Sequence, residues 1–268
     1  MKKFYFLFCN TYNHFFSFLE KLFFKNKSKI KLFSSKIEKK GFELIRLDKN
    51  PILIKKSNNQ VIVNKYMKKD IMFTNDIIDL IKNYFIELNL AEIITERTGY
   101  EYSIDYLINY TILNVPDDDK GEWYANHWHN DKPFTKNTLK MIIPLVKMNS
   151  SLHGGIEILD IEQTNQYRKE KLLPNENDYY VMKADVNEVL LFLPNQCFHK
   201  AGNPSRDFPR SQIMLQLNPS DRWKINNNLE KKQYKCEPKF PYFSYLLDKK
   251  LKLKILKNLY IKKIIGFI

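Results

Sequence analysis

The sequence predicts a mainly β protein, an antiparallel barrel or double-sheet jelly roll braced by N-terminal helices. Three observations predict it. The 268 residues, 44% hydrophobic and 14% aromatic, suffice for a substantial core and are too apolar for a disordered chain. Helix-periodic segments come early and end at Gly99. Beyond them, short runs rich in β-branched and aromatic residues follow one another between Gly, Pro, Asn and Asp turns, with no helical pattern intervening.

The chain opens on MKKFYFLFCNTYNHFFSFLEKLFFKNKSKIK. Its apolar run, residues 4–9, is too short for a signal-peptide core and too broken for a membrane span of ~20 apolar residues. Residues 1–40 are expected to form a basic helical segment whose Phe-rich face docks on the body or lies on a membrane surface. The main domain follows over 41–225. GFELIRL (41–47) and QVIVNKY (60–66) read as strands. FTNDIIDLIKNYFIEL (73–88) reads as a helix, because Ile77, Ile78, Leu80, Ile81, Phe85 and Leu88 recur at helical spacing after Thr74 and Asn75, either a suitable cap. Asn89 with Glu92 three residues on marks a second start, running to Gly99, so bracing helices occupy about 73–98.

Strands are then expected at SIDYLINYTILNV (103–115), TLKMIIPLV (138–146), GGIEIL (154–159), NEVLLFLP (187–194) and SQIMLQLNP (211–219). Residues 226–268 close on FSYLLDKKLKLKILKNLYIKKIIGFI, where Leu and Ile alternate with Lys. That pattern predicts a basic amphipathic helical extension, which covers a core face or meets an anionic membrane.

Charge excludes less than its size suggests. The net charge is +14, yet only six of the 44 basic residues are arginine (Arg46, Arg97, Arg168, Arg206, Arg210 and Arg222). The remainder is lysine in a chain heavy in Asn, Ile, Phe and Tyr, a usage typical of an AT-rich genome, and is read as a solvated surface. Nucleic-acid binding would call for basic stripes with stacking aromatics or a reading motif; neither is present, so no nucleic-acid partner is expected. Cys9, Cys197 and Cys236 are odd in number and widely spaced, which fits a reducing, cytoplasmic setting. The basic termini allow peripheral attachment at a membrane surface.

The chemistry concentrates in GEWYANHWHNDKP (121–133). Side chains two apart in an extended segment share a face, so His129 and Asp131 point together, and His127 joins them if the strand begins early enough. A third ligand must come from His14, His153 or His199. His199 follows the apolar run VLLFLPNQCFHK and is placed at a strand end, where a sandwich presents side chains into its mouth. His129, Asp131 and His199 would make two imidazoles and a carboxylate, which occupy one face of an octahedral iron(II) site and leave open positions. Arg210 lies eleven residues after His199 in a lysine-biased chain, and a guanidinium grips a carboxylate with two parallel hydrogen bonds. It suits the far carboxylate of a dicarboxylate cosubstrate.

WHND, the 70-residue step from His129 to His199, and Arg210 beyond it resemble the WHxD…H…R pattern of the phytanoyl-CoA dioxygenase-like group. The resemblance covers roughly residues 100–220. It implies a double-stranded β-helix, a jelly-roll, cupin-like core, and a non-haem Fe(II)/2-oxoglutarate-dependent oxygenase that consumes O2 and releases succinate and CO2. His129, Asp131 and His199 would bind iron and Arg210 the far carboxylate of 2-oxoglutarate. Lys140 on the next strand would be a further cosubstrate contact, with Tyr110 and Asn114 on the preceding strand also candidates. Two departures stand out. Ala201 occupies the place, two residues after the distal histidine, where many members carry a small hydroxyl residue, and Ser205 is displaced from it. The stretch after the middle strand is reduced to SSLHGGIEILDIEQTNQ. The acid at 131 argues for hydroxylation, because halogenating relatives carry a small residue there.

The expected activity is therefore oxidation of a small organic or lipid-like substrate. The alternative is a non-catalytic jelly-roll binding or structural module whose basic helical ends contact membrane or protein. A cupin-like metalloenzyme without 2-oxoglutarate is a third option. His127 in an HxH pair, Trp123 and Tyr124 near the pocket, and the acidic run at 117–119 are the remaining features, the last read as a solvated loop.

Overall fold

The computed structural model describes residues 2–30, 36–49, 51, 59–122, 124–131, 135–148, 151–172, 175 and 178–225. The predicted C-terminal extension, Cys236 and Trp123 lie outside the described residues. The elements are α1 (Lys2–Phe23), α2 (Lys36–Lys40), β1 (Phe42–Arg46), β2 (Gln60–Asn64), β3 (Met67–Asp70), α3 (Thr74–Lys82), α4 (Leu90–Thr98), β4 (Glu101–Ile112) and β5 (Leu139–Pro144). They continue with β6 (Glu157–Ile158), α5 (Ile161–Glu170), β7 (Tyr180–Val181), β8 (Glu188–Phe192), β9 (His199–Lys200), β10 (Arg210–Ser220) and β11 (Lys224–Ile225).

The chain shuttles between two sheets. The larger has the order β1-β8-β5-β10-β4-β3-β2, each neighbour antiparallel, with β11 parallel to β4. The smaller is β7-β6-β9, and an antiparallel bridge between His129 and His199 adds the segment around His129 beside β9. From β4 onward the chain crosses to the small side at His129, returns in β5, visits β6 and β7, returns in β8, crosses for β9 and returns in β10.

Period-two alternation gives the large sheet two different faces. Ile213, Leu215 and Leu217 of β10 turn outward with Leu139, Met141, Ile143, Val189 and Leu191 and pack against Ile77, Leu80, Ile81, Leu90 and Ile94 of α3 and α4. The other face looks toward the small sheet, where Ile142, Leu190 and Phe192 meet Ile158, Met182 and Cys197. The same face carries buried polar groups: Lys140 stands directly opposite Gln216, Gln212 opposite Tyr110, and Arg210 opposite Ile112.

The bracing helices match their sequence signals with one change. The expected continuous helix over 73–88 stops being α-helical at Lys82, and residues Asn83–Glu87 widen to a π-type turn. One extra residue per turn lets the consecutive aromatics Tyr84 and Phe85 both reach the core. Thr74 is itself the first helical residue, so it does not cap, and the Asp76 carboxylate accepts from the Phe73 backbone N–H at 3.4 Å. Asn89 enters α4 in a left-handed conformation (φ 53°) with its amide on Glu92 at 2.9 Å, and Gly99 (φ 73°) ends the helix.

The uninterrupted run of strands expected after Gly99 is corrected by α5, between β6 and β7. Asp160 accepts from the Gln163 backbone N–H at 2.8 Å while the Gln163 side chain accepts from Asp160 N at 3.0 Å, a reciprocal cap. The helix is mostly polar, which hides it from a search for apolar periodicity.

Among its described side chains, α1 meets the body through a polar stripe. Asn13, Ser17 and Glu20 are 3%, 9% and 3% exposed, whereas Phe15, Phe18 and Leu22 are 56%, 62% and 46% exposed. The seam is made of hydrogen bonds: Lys136 N donates to Ser17 Oγ at 2.9 Å, and the Asn137 amide donates to Ser17 O at 3.1 Å and Glu20 Oε2 at 2.9 Å. Asn137→Ala removes two donors from this seam, one of them from a buried carboxylate. It is expected to lower stability by about 1–2 kcal/mol in urea unfolding. Among the described residues, no helix is long and apolar enough to cross a membrane.

Candidate metal centre

His129 and Asp131 are set by backbone pairing to β9 and the turn before it. His129 N donates to His199 O at 3.0 Å and His199 N to His129 O at 2.8 Å. Asp131 N donates to Pro194 O at 2.9 Å, and the amides of Asn130 and Asn195 donate across to Asn195 O and Asp131 O at 2.8 and 3.1 Å. The extended backbone then turns His129 and Asp131 to one face, as the spacing predicts.

His199 follows the apolar strand and sits at a strand end, as expected, but the strand it opens lies in the smaller sheet. β8 stops at Phe192, residues 194–197 turn, and His199 opens β9 in the other sheet. Gly41 holds that turn: its carbonyl accepts from Leu193 N at 2.8 Å, and with φ +84° a Cβ there would fall 2.3 Å from Cys197 Sγ.

The three side chains converge. Among the described residues, His129, Asp131 and His199 offer ligand atoms that all lie within 4.8 Å of one another. His129 Nε2 stands 3.8 Å from Asp131 Oδ1 and His199 Nε2 3.9 Å from Asp131 Oδ2. The imidazole centroids are 4.5 Å apart, and Phe192 meets His199 edge-on at 5.0 Å. Metal–ligand bonds of about 2.0–2.2 Å place adjacent ligand atoms roughly 3 Å apart, so small side-chain rotations close the set around one cation.

Tautomer and charge suit a cation. His129 Nδ1 lies 2.7 Å from His127 O, and His199 Nδ1 lies 3.0 Å from Cys197 O. A backbone carbonyl accepts only from N–H, so each ring carries its proton on Nδ1 and directs the Nε2 lone pair to the cluster. Burial drives the His199 pKa down to about 4, with Lys140 and His129 adding to the effect and Asp131 opposing it. Burial also lowers His129. Both rings are therefore neutral near pH 7. Burial pulls Asp131 upward, but Lys140 and the two imidazoles outweigh it and hold the carboxyl below its usual range. Lys140 makes an ion pair with Asp131 Oδ2.

Arg210 is 2% exposed and sits at the far end of β10 from the partner of Lys140. Its Nη1 donates to Gly202 O at 3.0 Å, and its Nε is buried with no hydrogen-bond partner. Gly202 threads tightly here, since a Cβ would fall 2.3 Å from Gly155 O. Burial lowers the Arg210 pKa, with Tyr110 and Glu157 opposing. Gln212, two residues on, donates its amide N–H to the Tyr110 hydroxyl and leaves Oε1 buried without a partner. A buried guanidinium with an unused donor fits an incoming carboxylate.

The other candidates fall elsewhere. Asn114 donates to Pro204 O at 2.8 Å and ties down the loop after β9. Ala201 N donates to Ala125 O at 2.7 Å, so no hydroxyl stands at that position, and Ser205 N is bonded to Leu152 O at 2.7 Å. His14 and His127 are exposed and His153 packs edge-on against Phe208, so none joins the cluster. Asp119 of the acidic run is engaged by Lys65 at 2.5 Å. Gln212 and Gln216 were not singled out from sequence; their signal was polar residues on alternate positions of an otherwise apolar strand, Arg210, Gln212 and Gln216.

No protein-family model matches the chain, and no curated protein matches its sequence. Solved structures similar to it include the non-heme alpha ketoglutarate dependent epimerase SnoN from nogalamycin biosynthesis, 12% identical with a TM-score of 0.46 over 69% of this chain and 80% of that one. HygX from Streptomyces hygroscopicus, crystallised with nickel and 2-oxoglutarate, is 8% identical with a TM-score of 0.45 over 69% of this chain and 85% of its own. EctD from S. alaskensis with bound Fe is 13% identical with a TM-score of 0.40 over 71% and 78%. Likeness at these scores assigns no activity to this chain, whose chemistry rests on its own residues.

Proposed function

We propose that the chain is an Fe(II)- and 2-oxoglutarate-dependent dioxygenase with a double-stranded β-helix core, kin to the phytanoyl-CoA dioxygenase-like group. It would act on a small organic or lipid-like substrate. The observation that carries this reading is the convergence of His129, Asp131 and His199, each ring turned Nε2-inward by a carbonyl behind it. The alternation of strands between two sheets supports the β-helix.

Two imidazoles and one carboxylate form a facial set that suits iron(II) and leaves positions for cosubstrate and O2. Bound there, iron would supply oxygen activation coupled to oxidative decarboxylation of 2-oxoglutarate, giving succinate and CO2. The chain's residues do the rest. The carbonyls of His127 and Cys197 hold the ring orientations that a metal requires. Arg210 would hold the far carboxylate through the donor it does not otherwise use. Tyr110 and Gln212 are paired across the strands, with Tyr110 close enough to Arg210 to perturb it electrostatically, and together they would stand in for the hydroxyl that Ala201 lacks. The sheets bury His199 and leave His129 and Asp131 partly accessible, an opening through which substrate would reach the cluster.

The test is succinate release. Protein supplied with Fe(II), ascorbate and 2-oxoglutarate in air is expected to form succinate slowly without substrate, and an added chelator is expected to stop it. Absence of succinate across a broad substrate panel would sink the reading.

A further inference from the structure

Lys140, expected as a cosubstrate contact, is paired in the structure with Asp131, which a cosubstrate role alone does not explain. Its ammonium pairs with Asp131 Oδ2, the oxygen that lies 3.9 Å from His199 Nε2, so it sits at the carboxylate a cation would use. Lys140 is 7% exposed and rises from β5, with Phe192 opposite on one side and Gln216 on the other. An ammonium and a divalent cation repel at such range and cannot share one carboxylate oxygen in a low-dielectric site. Burial keeps the lysine from retreating to bulk water. Its acceptor on leaving is at hand: Gln216 is fully buried, stands directly opposite Lys140 in register, and its Oε1 has no hydrogen-bond partner.

We propose that Lys140 is an internal counter-cation that competes with the metal for Asp131 and moves to the Gln216 side of the barrel when metal binds. Resting on the oxygenase reading, this deepens it: the displaced ammonium meets an arriving dicarboxylate, so metal and cosubstrate each strengthen the other's binding. Such coupling is reciprocal, the same factor appearing in both affinities.

Calorimetric titration of Mn(II) into the full chain without cosubstrate tests it, with folding of each variant checked by circular dichroism. Lys140→Met is expected to bind Mn(II) about tenfold more tightly than wild type, a change of the size seen when the surroundings of metal ligands are altered. Lys140→Arg keeps the competing charge and should show no gain. Gln216→Leu removes the acceptor and should weaken Mn(II) binding while leaving Lys140 in place. Repeating the titrations with saturating 2-oxoglutarate should raise Mn(II) affinity more in wild type than in Lys140→Met. Equal or weaker Mn(II) binding by Lys140→Met, with wild type binding normally, overturns the counter-cation and leaves the oxygenase reading standing. Absence of Mn(II) binding in wild type overturns both. If Mn(II) binds and Lys140→Met tightens it, but 2-oxoglutarate has no effect on any protein, the competition stands and the cosubstrate reading falls.

Discussion

Asp131→Ala is expected to abolish measurable divalent-metal binding, with affinity falling by more than about 100-fold. Altering only the partners behind metal ligands already costs roughly 10- to 100-fold, and this change removes the single anionic group of the proposed set. A second consequence follows from Lys140. Its ammonium, 9% exposed at the side chain, loses its carboxylate partner at Asp131. Breaking a buried pair from one side costs about 3–5 kcal/mol, and the 16% exposure of Asp131 discounts this toward the lower end. Asp131→Ala should thus unfold at lower urea, whereas Asp131→Asn keeps a hydrogen-bond acceptor and should lose metal with a smaller stability change. Calorimetry for the metal and urea unfolding for the fold separate the two effects. Retained metal binding in a folded Asp131→Ala would remove the carboxylate from the site.

Arg210→Met is the second large effect. Methionine keeps the buried stem and removes the fork, so 2-oxoglutarate affinity should fall by about 2–4 kcal/mol, roughly 30- to 1,000-fold. Arg210→Lys should recover only part of it, because an ammonium lacks the paired geometry. Metal affinity measured without cosubstrate should be unchanged in both, since the Arg210 guanidinium donates to Gly202 O and supplies no metal-ligating atom. A fall in metal affinity equal to that for 2-oxoglutarate would point to a general collapse of the barrel instead.

How much of this was legible in the sequence depends on what each element displays. The paired orientation of His129 and Asp131 follows from backbone alternation alone, and so it was readable. His199 is expected at a strand end after the apolar run and does open a strand, but that strand belongs to the other sheet. β9 is only two residues long, His199–Lys200, and two residues carry no periodicity to mark a crossing between sheets. The helix α5 was hidden for a related reason: its interior is polar, and its one clear sign is the Asp160–Gln163 cap. On α1 the sequence displays a Phe-rich face, expected to dock on the body or lie on a membrane surface. What the hydrophobic pattern does not display is the polar seam, where Lys136 N and the Asn137 amide donate to Ser17 and Glu20. Lys140 is expected in the pocket as a cosubstrate contact, but its ion pair with Asp131 is not displayed in the sequence, since it depends on β5 and the 127–131 segment facing each other across two sheets.

A crystal structure grown without oxygen in the presence of Fe(II) and 2-oxoglutarate tests the central claim most directly. The account predicts one iron held at about 2.0–2.2 Å by His129 Nε2, Asp131 and His199 Nε2, with the far carboxylate of 2-oxoglutarate on Arg210. Iron ligated by other residues, or 2-oxoglutarate held away from Arg210, would contradict it.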